Sequence, residues 1–298
     1  MITFVELGRL GRIGNQMFQY AALRGLALRN GYEAKIPDPK TRAWHGQKCL
    51  LDTLNLTSGI LTESEARALK GRYVEPDYMS FDENFFNLPD NIDLYGFFQS
   101  TLYFKGFEEE ISKELTPKQE FIEEASHLIG EIKTNYLEHE IVSIHLRRGD
   151  NVDGSNPSKE LNEMFGTGDS LEDNSFYGKY LKAAKDKFAG KKVKFLVFSG
   201  GSRKSGNSNE TDLEWCRTNL AGEEYVHAQP NHSMCDFSSI MLCDHNIISH
   251  ISSFGWWAAY IGHARDREKR VIAPLNYHPD RPNMGHRKGF YPNIWELV

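Results

Sequence analysis

Two adjacent arginines, Arg147 and Arg148, are the residues best suited to binding an anion. They follow the apolar stretch 141–144, which has the character of a buried strand, and Gly149 then lets the chain turn. In open α/β folds, ligands bind at the carboxyl ends of the strands. Guanidinium groups stay charged and present forked donors, which suits them to phosphate. The segment therefore predicts a local anion site, although arginines at a strand end can also simply be solvated or pair with nearby acids.

A second turn with ligand-binding potential is GRIGNQ at 11–16, between an apolar first strand and a helical pattern. Its glycines match neither the P-loop nor the dinucleotide-binding fingerprint. Glycines before a helix often serve packing alone. The amides of Asn15 and Gln16, beside free backbone N–H groups at a helix N-terminus, favour a ligand contact instead. Both interpretations remain open.

A third turn, SSFGWW at 252–257, follows another predicted strand. The hydroxyls of Ser252 and Ser253, with helix N-terminal amides, can bind phosphate, and an aromatic residue can pack on a sugar or base. An ordinary serine N-cap explains the same residues. Upstream, Asp236 is expected to open a helix at 236–243. An acid there is either a cap or a partner for the N1–H and exocyclic amine of guanine.

Composition limits the classes of partner. The chain has 298 residues, 26% of them charged, and a net charge of −6, so a nucleic-acid partner is not expected. The four cysteines are too sparse for a disulfide framework. No apolar run approaches the length of a membrane span, and residues 1–20 lack a signal-peptide profile. We therefore expect a cytoplasmic protein with no integral membrane segment.

The sequence does not predict a metal site. Cys235, Cys243 and His245 have a spacing unlike that of known zinc sites, and no Asp-x-Asp pair occurs in the chain. An enzyme of this sequence that released a diphosphate would have to neutralise it with arginines and helix dipoles. We therefore expect neither a metal nor a cofactor.

Alternating strand and helix patterns predict an α/β protein with parallel sheets. A boundary near 136–140 divides it into domains 1–138 and 139–298, and the C-terminal tail is able to pack back on the first. The stretch 200–211 is predicted to be a polar surface insertion. The predicted strands cover residues 2–7, 33–36, 93–98, 141–146, 192–199, 225–227, 246–249 and 271–273, and the predicted helices cover 15–30, 62–71, 106–136 with a break at Pro117, 175–189, 212–219, 234–243 and 255–264.

Three segments together resemble the α-1,2-fucosyltransferase family, in the order and spread found there: GRIGNQMFQYAALRGLA at 11–27, HLRRGD at 145–150 and SSFGWWAAYIG at 252–262. The resemblance covers essentially the whole chain. It implies an inverting, metal-independent transfer of fucose from GDP-fucose to a galactoside. It also implies a GT-B-like fold of two Rossmann-type halves with a cleft between them, in which the C-terminal half binds most of the GDP.

The resemblance also implies roles for the two adjacent arginines and for the residues of the SSFGWW turn. Arg147 would contact the diphosphate, and Arg148 would support the site. Ser252, Ser253 and Phe254 would line the phosphate and the nucleoside.

The resemblance implies two further ligand-binding residues, one in each half of the chain. Asp236 would bind guanine, and Asn15 would reach from the N-terminal half toward the donor phosphates or the acceptor. Inversion formally requires a base for the acceptor hydroxyl proton, for which Asp150 and His145 are the local candidates. Asp150 can instead fix Arg148 or cap the turn, and His145 can bond within the sheet. No strong base is needed if GDP departs well ahead of attack.

The chain departs from the family at one place. Relatives follow the strand matching 193–199 with two acids, whereas here Ser199 precedes two glycines, and the next acids are Glu210 and Asp212. The function of the acid pair is therefore either absent or supplied by Asp212, to which we assign no role. Trp215 still matches the family pattern.

Other functions remain open from the sequence. The nearest is a fucosyltransferase of O-fucose or α-1,6 linkage, and the more distant is a carbohydrate-binding protein without catalysis. The expected partners are GDP-fucose and a galactose-containing acceptor glycan, with possible peripheral contact to lipid-linked acceptors. The acceptor and the oligomeric state are not predicted.

Overall fold

The computed structural model describes residues 1–77, 80–149, 176–200, 210–249, 252–275 and 288–298. The chain forms two compact units. The first comprises Met1–Lys118 with His286–Asn293, and the second Gln119–Gly285 with Ile294–Val298. The division from the sequence had placed residues 119–138 in the first domain. The structure groups them with the second unit.

The first unit is built on a parallel sheet. Its strands are β1 (Ile2–Thr3), β2 (Ala34–Ile36), β5 (Gly59–Ile60), β6 (Gly71–Val74) and β7 (Ile92–Tyr95), with a separate hairpin of β3 (Ala43–Trp44) and β4 (Gln47–Lys48). The α-helices of this unit's described residues are α1 (Ile13–Asn30), α2 (Glu63–Arg67) and α3 (Glu108–Glu114). The strand order is β5-β2-β1-β7-β6, so the chain changes direction across the sheet between β1 and β7.

Helix α1 is the core helix of the first unit and is buried along most of its length. It ends at Gly31, whose left-handed φ of 69° lets its N–H bond the carbonyl of Ala27. Gly25 allows a close approach, because a Cβ there would lie 2.3 Å from the carbonyl oxygen of Tyr103. This helix carries Asn15 in its first turn.

The second unit is also a parallel α/β sheet. Its strands are β8 (Glu140–Arg147), β9 (Val193–Gly200), β10 (Tyr225–His227), β11 (His245–Ile247), β12 (Val271–Ala273) and β13 (Glu296–Leu297). The helices of its described residues are α4 (Gln119–Asn135), α5 (Phe176–Asp186), α6 (Glu210–Asn219), α7 (Ser233–Leu242) and α8 (Ser253–Arg265). The order β10-β9-β8-β11-β12-β13 is doubly wound: the chain moves outward from β8 in one direction, then resumes on its other side.

Strand β8 is the centre of this sheet. It pairs in parallel with β9 along its whole length and with β11 on the other side. Val142, Ile144 and Leu146 are fully buried in one apolar cluster, with side chains from α5 and α6 among its other members. This packing explains why the apolar run in the sequence correctly predicted a buried strand.

The structure differs from the sequence-based assignment in several elements. The first strand ends at Thr3, and the helix expected at 62–71 ends at Arg67 and is followed by β6. The C-terminal tail, beyond the last predicted strand, contains β13, which pairs with Ile272 and Ala273. Strands as short as β6 and β13 show no periodicity, and their pairing with an existing sheet edge determines them.

Candidate functional site

The carboxyl ends of β8 and β11 form the switch point of the second sheet. The connections from these two strands run to opposite sides of the sheet, and ligands bind in the crevice that such a divergence leaves. Residues 146–149, here called the β8 turn, leave the sheet at this point. Ser249 follows β11, and helix α8 begins shortly after it.

The backbone of the β8 turn is held from both neighbouring strands. On the β9 side, Ser199 Oγ donates to the carbonyl of Leu146 over 2.9 Å. On the β11 side, the N–H of Arg147 donates to Ser249 Oγ over 3.2 Å. The peptide groups around Arg147 are therefore fixed before any ligand binds, which is the kind of preorganisation that an anion site requires.

Arg148 is buried beside helix α6. Its Nε donates to Asp212 Oδ1 over 3.2 Å, and the two side chains are 9% and 0% exposed. The guanidinium carbon lies 3.7 Å from the ring centroid of Trp215, one helical turn after Asp212. Asp212 Oδ2 also accepts from the N–H of Gly149 over 3.2 Å. The carboxylate thus balances the charge of Arg148.

His145 lies below the turn and is buried, with Nδ1 lacking a hydrogen-bond partner among the described residues. Burial, reinforced by the charge of Arg147, lowers the pKa of His145 to about 3. The imidazole is therefore neutral near pH 7 and a weak proton acceptor. A Cβ at Gly255 would lie 2.7 Å from Nδ1, so only glycine permits this approach of α8.

The start of helix α8 lies beside β8. Ser252 Oγ accepts from the N–H of Gly255 over 3.3 Å, so Ser252 is an N-cap, and Ser253 is buried in the first turn. The ring of Phe254 packs 5.6 Å from His145 and 5.3 Å from Phe237, measured between centroids. The N-terminus of the helix, with its positive dipole end, therefore lies beside His145 near the carboxyl end of β8.

Asp236 lies on α7, next to Phe237 in sequence. The helix begins at Ser233 with His232 as its cap, so the expectation that Asp236 opens the helix was wrong. Burial and the nearby charge of Glu124 raise the pKa of Asp236 to about 7. Such a carboxyl would gain from N–H donors, because they stabilise its charged form.

Asn15 lies in the first turn of α1, in the first unit. Its Oδ1 accepts from Gln99 Nε2 over 2.6 Å, and its side chain packs over Gly11, whose φ is +76°. Gln16 holds the same loop, since its Nε2 donates to the carbonyl of Gly11 over 2.8 Å. The two residues follow β1, and Gln99 follows β7, so they lie at the switch point of the first sheet.

Several predictions from the sequence cannot be placed. Asp150, the base candidate, lies outside the described residues, as do residues 151–175 that follow it. Within the described part of the chain, no group of three or more His, Cys, Asp or Glu residues is arranged to hold a metal ion. Among the described helices, none has the length and apolar character needed to cross a membrane.

A family model described as glycosyl transferase family 11 matches residues 4–295. The chain belongs to this family. It is 30% identical over 267 residues to galactoside alpha-(1,2)-fucosyltransferase 1 of Pan troglodytes, a match that covers 84% of this chain and 63% of that protein. It is 27% identical over 270 residues to galactoside alpha-(1,2)-fucosyltransferase 2 of Bos taurus, covering 86% and 68%. The chain therefore spans about 63% of the length of the first of these relatives.

The fold of this family 11 member is shared with a solved structure. A crystal structure of POFUT1 in complex with GDP superposes with a TM-score of 0.50 at 13% identity, covering 91% of this chain and 97% of that one. At this identity the likeness shows the fold alone. The predicted GT-B-like α/β class is confirmed, and so is the predicted family.

No local pattern in the sequence singled out Ser249 or Gln99 of the candidate site, because a single serine or glutamine carries no spacing signal. Gly255 was included only as part of the SSFGWW segment. Asp212 and Trp215 were noticed without a role. Asp212 and Trp215 are three residues apart on one helix and therefore share a face, and this spacing could have indicated that they contact the same partner.

Proposed function

We propose that this family 11 chain transfers L-fucose from GDP-fucose to the 2-hydroxyl of a galactoside, with inversion and without a metal ion. The observation that carries the proposal is the pair Arg147 and Arg148 at the switch point of the second sheet, in a turn held by β9, β11 and α6. The family match, the names of the relatives and the GDP complex of POFUT1 support the choice of donor.

The reaction breaks the bond between fucose C1 and the β-phosphate oxygen. Negative charge grows on the departing GDP, while positive charge grows on the sugar. Arg147 and the N-terminus of α8 are proposed to stabilise the departing diphosphate, because preorganised donors act most strongly where charge develops. Loss of one such donor typically lowers the rate by about 10²–10³.

The other proposed donor-binding residues contact the phosphates, the nucleoside and the guanine base. Ser253 and the N-cap Ser252 offer the first amides of α8 to the phosphates, and Phe254 lines the nucleoside. Asp236 accepts from the N1–H and exocyclic amine of guanine. Asn15, whose Oδ1 accepts from Gln99, remains a proposed donor-binding residue.

Proton removal from the acceptor is assigned to Asp150 rather than to His145. The lowered pKa of His145, about 3, makes it a weak base, and the ring packs against Gly255 and Phe254. We propose that His145 serves as a neutral wall of the site. A strong base is unnecessary if the bond to GDP breaks well before attack.

A direct assay tests the function. The purified chain is incubated with GDP-fucose and a panel of galactosides in EDTA, and the product linkage is identified. An α-1,2-linked fucosyl galactoside is expected, at the same rate with added Mg²⁺. Another linkage would assign a different fucosyltransferase, and GDP binding without transfer would point to a non-catalytic protein.

A further inference from the structure

Asp212 takes no part in the chemistry proposed above, yet it is the most completely buried acid near the β8 turn. Its two oxygens bind consecutive residues of that turn. Oδ1 accepts from Arg148 Nε and Oδ2 from the N–H of Gly149, each over 3.2 Å. One carboxylate therefore holds both a side chain and the backbone of the segment that carries Arg147.

A carboxylate in this position must be paired to be tolerated. Its side chain is 0% exposed, and burying an uncompensated charge is strongly unfavourable. Its partners are therefore determined by the fold: the negative charge favours the charged Arg148 in place and the N–H of Gly149 turned inward. Gly149 has a φ of 42°, in the left-handed region that favours glycine, and its N–H is held by Asp212 where the chain leaves β8.

Trp215 fixes the same guanidinium from a second direction. Asp212 holds it at Nε, while the indole covers its face at 3.7 Å. Both residues lie on one face of α6. Arg148 is thus held by its edge and its face, and its charge is balanced by Asp212.

We propose that Asp212 is a positioning residue for the diphosphate site, acting through Arg148 and Gly149 to hold Arg147 where it meets the departing GDP. The inference rests on the proposed function. Asp212 does not touch the substrate. Its contribution is to keep the turn in one conformation, so that no reorganisation is required as charge develops on the diphosphate.

The substitution Asp212→Asn tests this proposal because it keeps the size of the side chain and removes its charge. The value of kcat for transfer from GDP-fucose is expected to fall about 10–100-fold, the usual effect of losing a residue that orients a direct ligand. The KM for GDP-fucose should change less than about threefold, because the contact matters most in the transition state.

A merely structural role would lower the number of active molecules instead. The kcat is therefore expressed per GDP-binding site, counted by calorimetric titration with GDP. The matched control is Asp244→Asn, at the opposite end of β8, where Asp244 also accepts a backbone N–H, that of Ile141, and pairs with a cation, Lys133. Its kcat per site is expected to equal that of the wild type.

A second comparison asks whether Asp212 acts through Arg148. In an Arg148→Gln background, adding Asp212→Asn is expected to leave kcat per site unchanged, because the residue it positions has gone. Equal losses from Asp212→Asn in both backgrounds would overturn the proposal. So would a wild-type kcat per site in Asp212→Asn alone.

If Asp212→Asn does not fold, Asp212→Glu replaces it. This variant keeps the charge and moves the carboxylate by one methylene group, and about a tenfold loss in kcat per site is expected. Wild-type kcat per site in Asp212→Glu would then overturn the proposal. A wild-type chain that neither binds GDP nor transfers fucose would refute the proposed function itself. That result differs from those that overturn the role of Asp212, which all require an active wild type.

Discussion

At each end of strand β8, an aspartate accepts a backbone N–H and pairs with a cationic side chain, but the two pairs differ in burial. At the amino end, Asp244 accepts the N–H of Ile141 and pairs with Lys133, in side chains that are 30% and 44% exposed. At the carboxyl end, Asp212 accepts the N–H of Gly149 and pairs with Arg148, almost without exposure. Water screens the first pair and not the second, so only the second can hold a charged turn rigidly.

The amino end also has a cavity of mixed charge. It is lined by acidic and basic side chains, including Glu138, Glu140 and Lys133. His245 in this region has both ring nitrogens engaged, with Glu140 and with the N–H of Arg270. His145 at the carboxyl end has no such partner for Nδ1 among the described residues.

The largest expected effect is on stability at the buried end. Arg148→Ala leaves Asp212 as a buried charge without its guanidinium, and breaking such a pair typically costs about 3–5 kcal/mol. The free energy of unfolding from urea titration measures this. The double variant Arg148→Ala with Asp212→Asn should recover part of the loss. Equal stability of Arg148→Ala and the wild type would contradict the claim that burial makes the Arg148–Asp212 pair the more important of the two ion pairs.

Arg147→Ala should affect chemistry rather than folding. We expect kcat to fall by about 10²–10³, because a donor aimed at the developing diphosphate charge is lost. Initial rates with GDP-fucose measure the effect, and circular dichroism shows whether the fold is retained. A well-folded variant with near-wild-type turnover would remove Arg147 from the site.

The affinity for GDP should depend on pH through Asp236. Its pKa is raised to about 7 in the free protein, whereas N–H donors of guanine favour the charged form. Binding must therefore expel a proton below pH 7, and affinity should rise by about tenfold from pH 6 to pH 8. Phosphate ionisation adds its own dependence, so the measured quantity is the difference between wild type and Asp236→Asn. Identical pH profiles would exclude the guanine contact.

The smallest effect is expected at the exposed end of β8. Lys133→Ala removes the partner of Asp244, and exposed ion pairs contribute about 0–1 kcal/mol. Thermal unfolding should show a small shift that diminishes at high salt, with transfer activity unchanged. A loss as large as that of Arg148→Ala would contradict the comparison.

The sequence predicted the parts of this fold that repeat a pattern. The buried run before Arg147 and the apolar stripe of α1 ending at Gly31 were correctly located, because many residues contribute to each signal. Strands β6 and β13 were missed, since each is determined by its pairing. For the candidate site, Arg147 and the start of α8 were predicted from residue type, and this prediction stays a prediction. The burial of Asp212 depended on tertiary packing that no local pattern reports.

The site at the carboxyl end of β8 is tested most directly by calorimetric titration of GDP in EDTA. Three proteins are compared: the wild type, Arg147→Ala and Lys133→Ala, the last removing a cation from the opposite end of the strand. The account predicts equal GDP affinity for the wild type and Lys133→Ala, and at least about tenfold weaker binding for Arg147→Ala. Equal affinity in all three proteins, or no binding to the wild type, would contradict it.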